Sequence, residues 1–316
     1  MTTLLVASSG GHLAELHDLV PRLGVQERRW VTFDSPQSRS LLAGEDVVHV
    51  PPAASRDLVG AVRDLVIARK MFRRRRYDQV ISTGASVAMS FFVPATAAGV
   101  NCAYIESATR THGPSLTGRM AARLPGVRMF TQYRSWADET WLYGGSIFDG
   151  FAAEPSGRRP VRKVVVTLGT HPRYTFPRLL ARLVDVLPPG LDVLWQVGAT
   201  RIARMPADAR VSVPVDEMRR AMREADVVVS HAGVGSALAA MQAGRRAMYV
   251  PRRRLHGEHV DDHQVAMARE LQSRDLVLAR EADEVTFVDL ETAASWSVQA
   301  SPLVQPFRLS LDPSVV

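Results

Sequence analysis

Histidine recurs beside glycine where a run of β-branched residues gives way to an amphipathic stretch. Ser8-Ser9-Gly10-Gly11-His12 closes one such run, Thr167-Leu168-Gly169-Thr170-His171 a second, and Ser230-His231-Ala232-Gly233-Val234-Gly235-Ser236 a third. A fourth junction, Thr83-Gly84-Ala85-Ser86, has the glycine without the histidine. Glycine lets a ligand approach the backbone, and the helix start that follows offers free N–H groups and the positive end of a dipole. Imidazole exchanges a proton near neutral pH. These residues predict sites for a phosphate or a sugar, with His12 poised for proton transfer.

Three other chemistries are weaker on the same residues. Gly84-Ala85-Ser86-Val87-Ala88 is one residue away from a G-x-S-x-G nucleophile elbow, but Ala88 replaces the last glycine and no triad order accompanies it. Gly233-Val234-Gly235 opens like G-x-G-x-x-G, yet Leu238 stands at the sixth position. Arg252, Arg253 and Arg254 would suit an NADP 2′-phosphate, but the motif sits late in its half rather than in the first βα turn. His256-Gly257-Glu258-His259-Val260-Asp261-Asp262-His263-Gln264 is dense in possible ligands, with a spacing that matches no metal motif. No metal and no cofactor is expected.

The elements that must position these loops alternate strand and helix. Short apolar runs at residues 3–7, 30–33, 47–50, 79–82, 101–105 and 127–130 are separated by amphipathic stretches such as 57–72. The pattern restarts with strands at 163–168, 191–197, 211–213, 226–230, 247–250 and 276–279, and helices at 176–187, 216–224 and 261–274. Fully apolar strands between helices indicate parallel sheets covered on both faces. Gly, Pro and Ser cluster in 148–162 and mark a linker. The fold class is α/β, with two doubly wound Rossmann-like domains facing a central cleft. They are expected at 1–155 and 156–300, with a tail at 301–316 crossing back to the first.

Composition limits the remaining choices. One cysteine excludes an internal disulfide. The first residues lack the basic and apolar regions of a signal peptide, so a cytoplasmic protein is expected. Residues 85–105 are apolar enough to suggest a membrane span, but Pro94, Gly99 and Asn101 divide them into helix, turn and strand. Net charge is +7, densest in Arg69-Lys70-Met71-Phe72-Arg73-Arg74-Arg75-Arg76. Arg73 to Arg76 suit a solvated helix end or an anionic membrane surface, with Met71 and Phe72 dipping into lipid. No nucleic-acid motif accompanies the charge, so a nucleic-acid partner is not expected.

Across most of residues 1–280 the ordered segments resemble the inverting GT-B glycosyltransferases of family 28 and their relatives. "SSGGH", "YIESATRTHGPSLTGRM", "VVVTLGT", "PVDEM", "ADVVVSHAGVGS" and "DDHQ" occur in family order. The chain resembles a fusion of the two-subunit dolichol and exopolysaccharide UDP-sugar transferases, acceptor half first. The resemblance implies transfer from a UDP-sugar to an acceptor hydroxyl, in a lipid-linked polyprenyl-diphosphate sugar or a small molecule. It implies His12 or Glu106 as base, and Gly10, Gly11, Gly84, Ala85, Ser86 and Thr117 on the acceptor. Gly169, Thr170, His231, Gly233, Val234, Gly235 and Ser236 would hold the donor, the backbone near Val215 its base ring, and Asp262 and Gln264 its sugar. Where the family carries a ribose-binding Glu this sequence has Ala239, with Gln242 one turn later as a partial substitute. A binding partner without turnover is the alternative that Ala239 suggests. Attachment to a lipid-linked acceptor would be peripheral, on the inner face of the cell membrane.

Overall fold

The computed structural model describes residues 1–52, 57–157, 160–170, 172–301 and 304–309. The chain divides into two compact units, Met1–Asp149 with Leu303–Val316, and Gly150–Pro302. Each is built around central strands buried along most of their length, because helices cover both faces.

The first unit has β1 (Thr2–Ala7), α1 (Gly11–Leu23), β2 (Glu27–Phe33), α2 (Pro36–Leu41), β3 (Val47–Val50), α3 (Leu58–Arg74), β4 (Gln79–Gly84), α4 (Ser86–Ala97), β5 (Asn101–Ile105), α5 (Leu116–Ala121), β6 (Val127–Thr131) and β7 (Trp141–Tyr143). The strands form one parallel sheet in the order β3-β2-β1-β4-β5-β6-β7. Strand order reverses between β1 and β4, so the crevice at their carboxyl ends is where such a sheet takes a ligand. The apolar stretch at 85–105 is α4, a turn and β5. Phe91 and Phe92 of α4 are wholly buried, and truncating either to Ala would cost about 3–5 kcal/mol.

In α3 the Asp57 carboxylate caps the start, accepting from Gly60 N at 2.9 Å. Ile67, Ala68, Met71 and Phe72 face the core, and Phe72 packs edge-on against Tyr77. Met71 and Phe72 therefore do not dip into lipid: the helical period turns them inward. The opposite face exposes Val59, Val62 and Val66, followed by Arg69, Lys70 and Arg73.

The tail at 304–309 packs on this first unit. Phe307 is buried beside Phe130 and fills the space above Gly144, where a β-carbon would collide with its ring. Phe307 N donates to Arg22 O, and Arg308 N to Gly144 O, each at 2.9 Å.

The second unit has β8 (Phe151–Pro155), β9 (Lys163–Thr167), α6 (Pro177–Val186), β10 (Asp192–Gln196), α7 (Val215–Glu224), β11 (Val227–His231), α8 (Val234–Gln242), β12 (Ala247–Val250), α9 (His263–Ser273), β13 (Val277–Ala279), α10 (Phe287–Ala294) and β14 (Trp296–Ala300). Its parallel sheet runs β10-β9-β11-β12-β13, with its switch point between β9 and β11. β8 and β14 pair antiparallel as a separate ribbon. The expected linker at 148–162 thus contains a strand, and the boundary between units falls at 149/150. Residues 211–213 are no strand; the neighbouring Arg210 makes only an isolated bridge to Gln196. The helix expected from residue 261 starts at His263.

Candidate functional site

In the first unit the crevice at β1 and β4 is lined by two loops. Gly10 (φ +95°) has open space around it, and its backbone is clamped by Gln37: Gly10 N donates to Oε1 at 2.7 Å and Nε2 donates to Gly10 O at 3.2 Å. His12 lies in the first turn of α1. Its Nδ1 is 2.9 Å from the Thr83 carbonyl oxygen, and Thr83 Oγ1 donates back to His12 O at 2.8 Å. A carbonyl only accepts, so Nδ1 carries the proton and Nε2 is left with its lone pair. Burial, with help from Arg110, holds the imidazole below its usual pKa, and it is neutral at pH 7.

The second loop is backbone-strained. Gly84 has φ +117°, and a β-carbon there would lie 2.9 Å from Tyr104 Oη and 3.3 Å from the His12 ring. Ala85 then adopts φ 66°, ψ 171° just before α4, a region other residues than glycine avoid. In a hydrolase elbow this strained position holds the nucleophile. Here it holds a methyl group, which removes the hydrolase reading. What the turn presents instead is the uncapped start of α4 at Ser86.

Glu106 sits behind this crevice. It is 1% exposed, and four donors surround it: Ser115 N at 2.8 Å, Ser115 Oγ at 3.0 Å, Ser107 N at 3.2 Å and Tyr104 Oη at 3.3 Å. Its oxygens are committed to holding the segment 107–115, so Glu106 is a support and not an accessible base. Ser115, which it grips, caps α5 through Gly118 N, and Thr117 lies half-buried in that helix.

Sequence reasoning missed Glu15. It is fully buried on the apolar face of α1 and accepts from Ala108 N at 2.7 Å, Ser107 Oγ at 2.9 Å and Gln132 Nε2. Burial pushes its pKa up to about 7 against those three donors. The available signal was a carboxylate among Leu13, Leu16, Leu19 and Val20.

In the second unit the crevice lies at β9 and β11. His231 Nδ1 is 3.3 Å from the Thr167 carbonyl oxygen. Burial and the nearby Arg252 push its pKa down to about 3. Its ring fills the gap between two loops: β-carbons on Gly169 and Gly233 would lie 2.9 Å from Cε1 and 2.6 Å from Nε2. Gly233 precedes α8 without any capping side chain, so the N–H groups of Val234, Gly235 and Ser236 are free for an anion. Thr170 is exposed in the same loop as Gly169, while His171 lies outside the described residues.

The remaining expected donor residues are spread differently. Val215, half-buried, starts α7. Gln264 is 3% exposed and its Oε1 accepts from Arg252 N at 2.9 Å, so it is turned into the fold rather than outward. Asp262 stays exposed, accepting from Arg254 N at 2.9 Å. Gln242, at the end of α8, is exposed, and Ala239 packs on a small core cluster.

His259, Asp261 and His263 offer ligand atoms within 4.8 Å of one another, the donor set of a borderline divalent ion. Arg252 opposes positive charge there: burial, His263 and Arg252 together hold His259 down at about 4. Arg252, Arg253 and Arg254 do not converge on one point as a clamp for an NADP 2′-phosphate would. Arg252 turns inward, Arg253 pairs with Glu281 at 3.0 Å, and Arg254 is exposed.

Two parallel, doubly wound units with glycine loops at their switch points define the GT-B class of glycosyltransferase folds. Residues 164–286 match the glycosyltransferase family 28 C-terminal domain, and the chain carries that domain as its second unit. It is 23% identical over 261 residues to the UDP-N-acetylglucosamine–N-acetylmuramyl-(pentapeptide) pyrophosphoryl-undecaprenol N-acetylglucosamine transferase of Polaromonas sp., covering 74% of this chain and 65% of that protein. It is 35% identical over 74 residues to the UDP-N-acetylglucosamine transferase subunit ALG13 of Yarrowia lipolytica, covering 23% of this chain and 36% of that one. The chain thus spans less than two thirds of either curated relative. Among solved structures, MurG of Acinetobacter baumannii superposes with a TM-score of 0.58 at 17% identity, over 92% of this chain and 89% of that chain.

Proposed function

We propose that this chain transfers a sugar from a UDP-sugar to an acceptor hydroxyl with inversion at the anomeric carbon. The first unit takes the acceptor and the second the donor. The carrying observation is the neutral His12, with Nδ1 donating to Thr83 O and Nε2 unprotonated, directly after the open Gly10-Gly11 turn. Nε2 accepts the hydroxyl proton as the acceptor oxygen bonds to the anomeric carbon; the bond from that carbon to the UDP oxygen breaks on the opposite face. The departing diphosphate is stabilised by the first-turn N–H groups of α8. That stabilisation needs no metal, so the reaction is metal-independent.

Gly10, Gly11, Gly84, Ala85, Ser86 and Thr117 flank the acceptor, and Gly169, Thr170 and Val215 the nucleotide. Asp262 reaches the donor sugar; Gln264 acts through the backbone of Arg252. The relatives' names make UDP-N-acetylglucosamine the first donor to try, and a polyprenyl-diphosphate-linked sugar the first acceptor. The outer face of α3, three valines followed by Arg69, Lys70 and Arg73, supports peripheral attachment to an anionic membrane on its cytoplasmic side. Among the described residues no helix is long and apolar enough to cross a membrane.

A second reading has one observation behind it. α8 carries Ala239 where the resemblance places a ribose-binding carboxylate, which favours a nucleotide-sugar-binding partner without turnover. UDP release from UDP-N-acetylglucosamine, followed across lipid-linked and soluble acceptors, separates the two. Release with any acceptor supports the transferase; UDP binding without release supports the partner.

A further inference from the structure

Arg252 follows β12 and is 3% exposed. Its Nη2 donates to the carbonyl oxygens of Leu168, at 2.5 Å, and Tyr174, at 3.0 Å. Its Nε is buried without a partner, and among the described residues no carboxylate lies within ion-pair distance. The arginines around it are different. Arg178 forks onto Glu258, Arg246 meets Asp275, and Arg280 meets Asp289. Glu258 makes no hydrogen bond to Arg252: it takes Arg178 Nε and Nη2 and Arg253 N, and its charge reaches Arg252 only from beyond ion-pair distance.

Among the described residues, the Phe176 ring presents a π face 5.7 Å from this guanidinium. Burial pushes its pKa down only to about 10, so it stays cationic at neutral pH. Glu258 offsets this charge only in part, and a buried cation without a direct ion-pair partner is costly to the fold. Its position shows what could neutralise it. Leu168, which it grips, immediately precedes Gly169, and Gly169 packs on His231 beside the uncapped start of α8.

We infer that Arg252 is the fixed counter-cation of a diphosphate bound at the Gly169 loop and the start of α8. The inference rests on the proposed donor role of the second unit and adds a specificity residue to it. Held by two carbonyls, the guanidinium is pre-organised: Nη2 is anchored and Nε is unspent, so its charge meets the anion without reordering a flexible chain. The neighbouring Arg253 and Arg254 are not needed for this.

The test compares ligands that share a base and differ in phosphate. UDP and uridine are titrated calorimetrically into wild type, Arg252→Gln and Arg252→Lys, with melting curves for each protein. The ratio of UDP to uridine affinity should fall about tenfold or more in Arg252→Gln, with uridine affinity unchanged. Arg252→Lys, which keeps the charge and loses the fork, should fall between. A ratio unchanged in both variants overturns the inference and leaves the donor reading standing. Loss of uridine and UDP affinity together also overturns it, because the role would then be structural. If Arg252→Gln does not fold, inorganic pyrophosphate is tested on wild type and Arg252→Lys: a melting-temperature gain present in the first and reduced in the second supports the inference, equal gains overturn it. Wild type that responds to pyrophosphate through Arg252 and ignores UDP sinks the donor reading alone.

Discussion

His12 Nδ1 and the Thr83 carbonyl oxygen are 2.9 Å apart, and His231 Nδ1 and the Thr167 carbonyl oxygen are 3.3 Å apart. Each unit therefore holds an imidazole across the two strands where its sheet order reverses, with Nδ1 pinned to a carbonyl and the ring packed against a glycine loop. Both rings are neutral for the same reason, burial. Their proposed tasks differ. His12 receives a proton, and the His231 ring spaces the two glycine loops that flank the donor diphosphate.

Replacing His12 with Ala should lower kcat by about two orders of magnitude or more, the scale of a lost general base. UDP affinity should change little. The acid limb of kcat/KM should fall below pH 6.5, because the pKa is lowered and the base stays unprotonated further into acid. A limb above that value, or a loss of UDP affinity with kcat intact, removes His12 from this role.

Glu15 gives a stability signature. Its carboxyl is raised from 4.5 to about 7 on folding, so it favours the folded state below pH 4.5 and that contribution is lost as pH rises through 7. Glu15→Gln cannot accept at both atoms, and it leaves one of three donors unmatched, at a cost of about 1–3 kcal/mol. The melting-temperature gap between wild type and variant should therefore be widest near pH 4.5 and narrow by pH 8. A gap that widens with pH contradicts the burial-driven shift.

The membrane contact is separable from catalysis. Each cation near an anionic surface contributes roughly 1 kcal/mol, and the exposed valines add apolar area. Val59, Val62 and Val66 changed to Ser should abolish sedimentation with anionic vesicles while UDP binding persists. Replacing Arg73 to Arg76 with Gln should weaken it and flatten its salt dependence. Arg75 contributes least, being shared with Asp46 at 3.6 Å. Wild-type protein that ignores such vesicles at low salt leaves α3 a solvated face.

Chelation should leave turnover unchanged, since backbone donors and Arg252 meet the diphosphate charge. The sharp comparison is His263→Ala, which removes one candidate ligand. Activity lost in EDTA, restored by a divalent ion in wild type and not in that variant, would bring His259, Asp261 and His263 into the reaction.

Much of this architecture is written in period and punctuation. β1, β4, β9 and β11 read as strands because both their faces are covered, and glycine marks the ends where ligands approach. β7 escaped notice because it is three residues long, and β8 because it lies in the Gly-, Pro- and Ser-bearing stretch that reads as a linker. β14 escaped because Trp296–Ala300 pairs antiparallel outside the main sheet. The error at Met71 and Phe72 has a plain cause: α3 carries apolar residues on two faces, and composition alone does not say which is inward. The placement of His12 at a strand end was legible because it follows a glycine pair. Glu15 and Arg252 were missed because their meaning depends on partners about 80 or more residues away in sequence, or on the absence of one. Glu106 has near neighbours as partners, but only the folded loop shows that Ser107 and Ser115 turn back onto its carboxylate.

Phe307 closes the first unit from the far end of the chain, settled against Phe130 over Gly144. A ribosome making this protein finishes the seven strands early, yet must synthesise the whole second unit before the strap arrives. Until then the Phe130 and Gly144 surface stays bare, a sticky patch for chaperones or for neighbouring nascent chains. Expression of residues 1–149 alone would reproduce that unfinished state, so a bisected gene should need the last segment restored to the first fragment before it yields a well-behaved product.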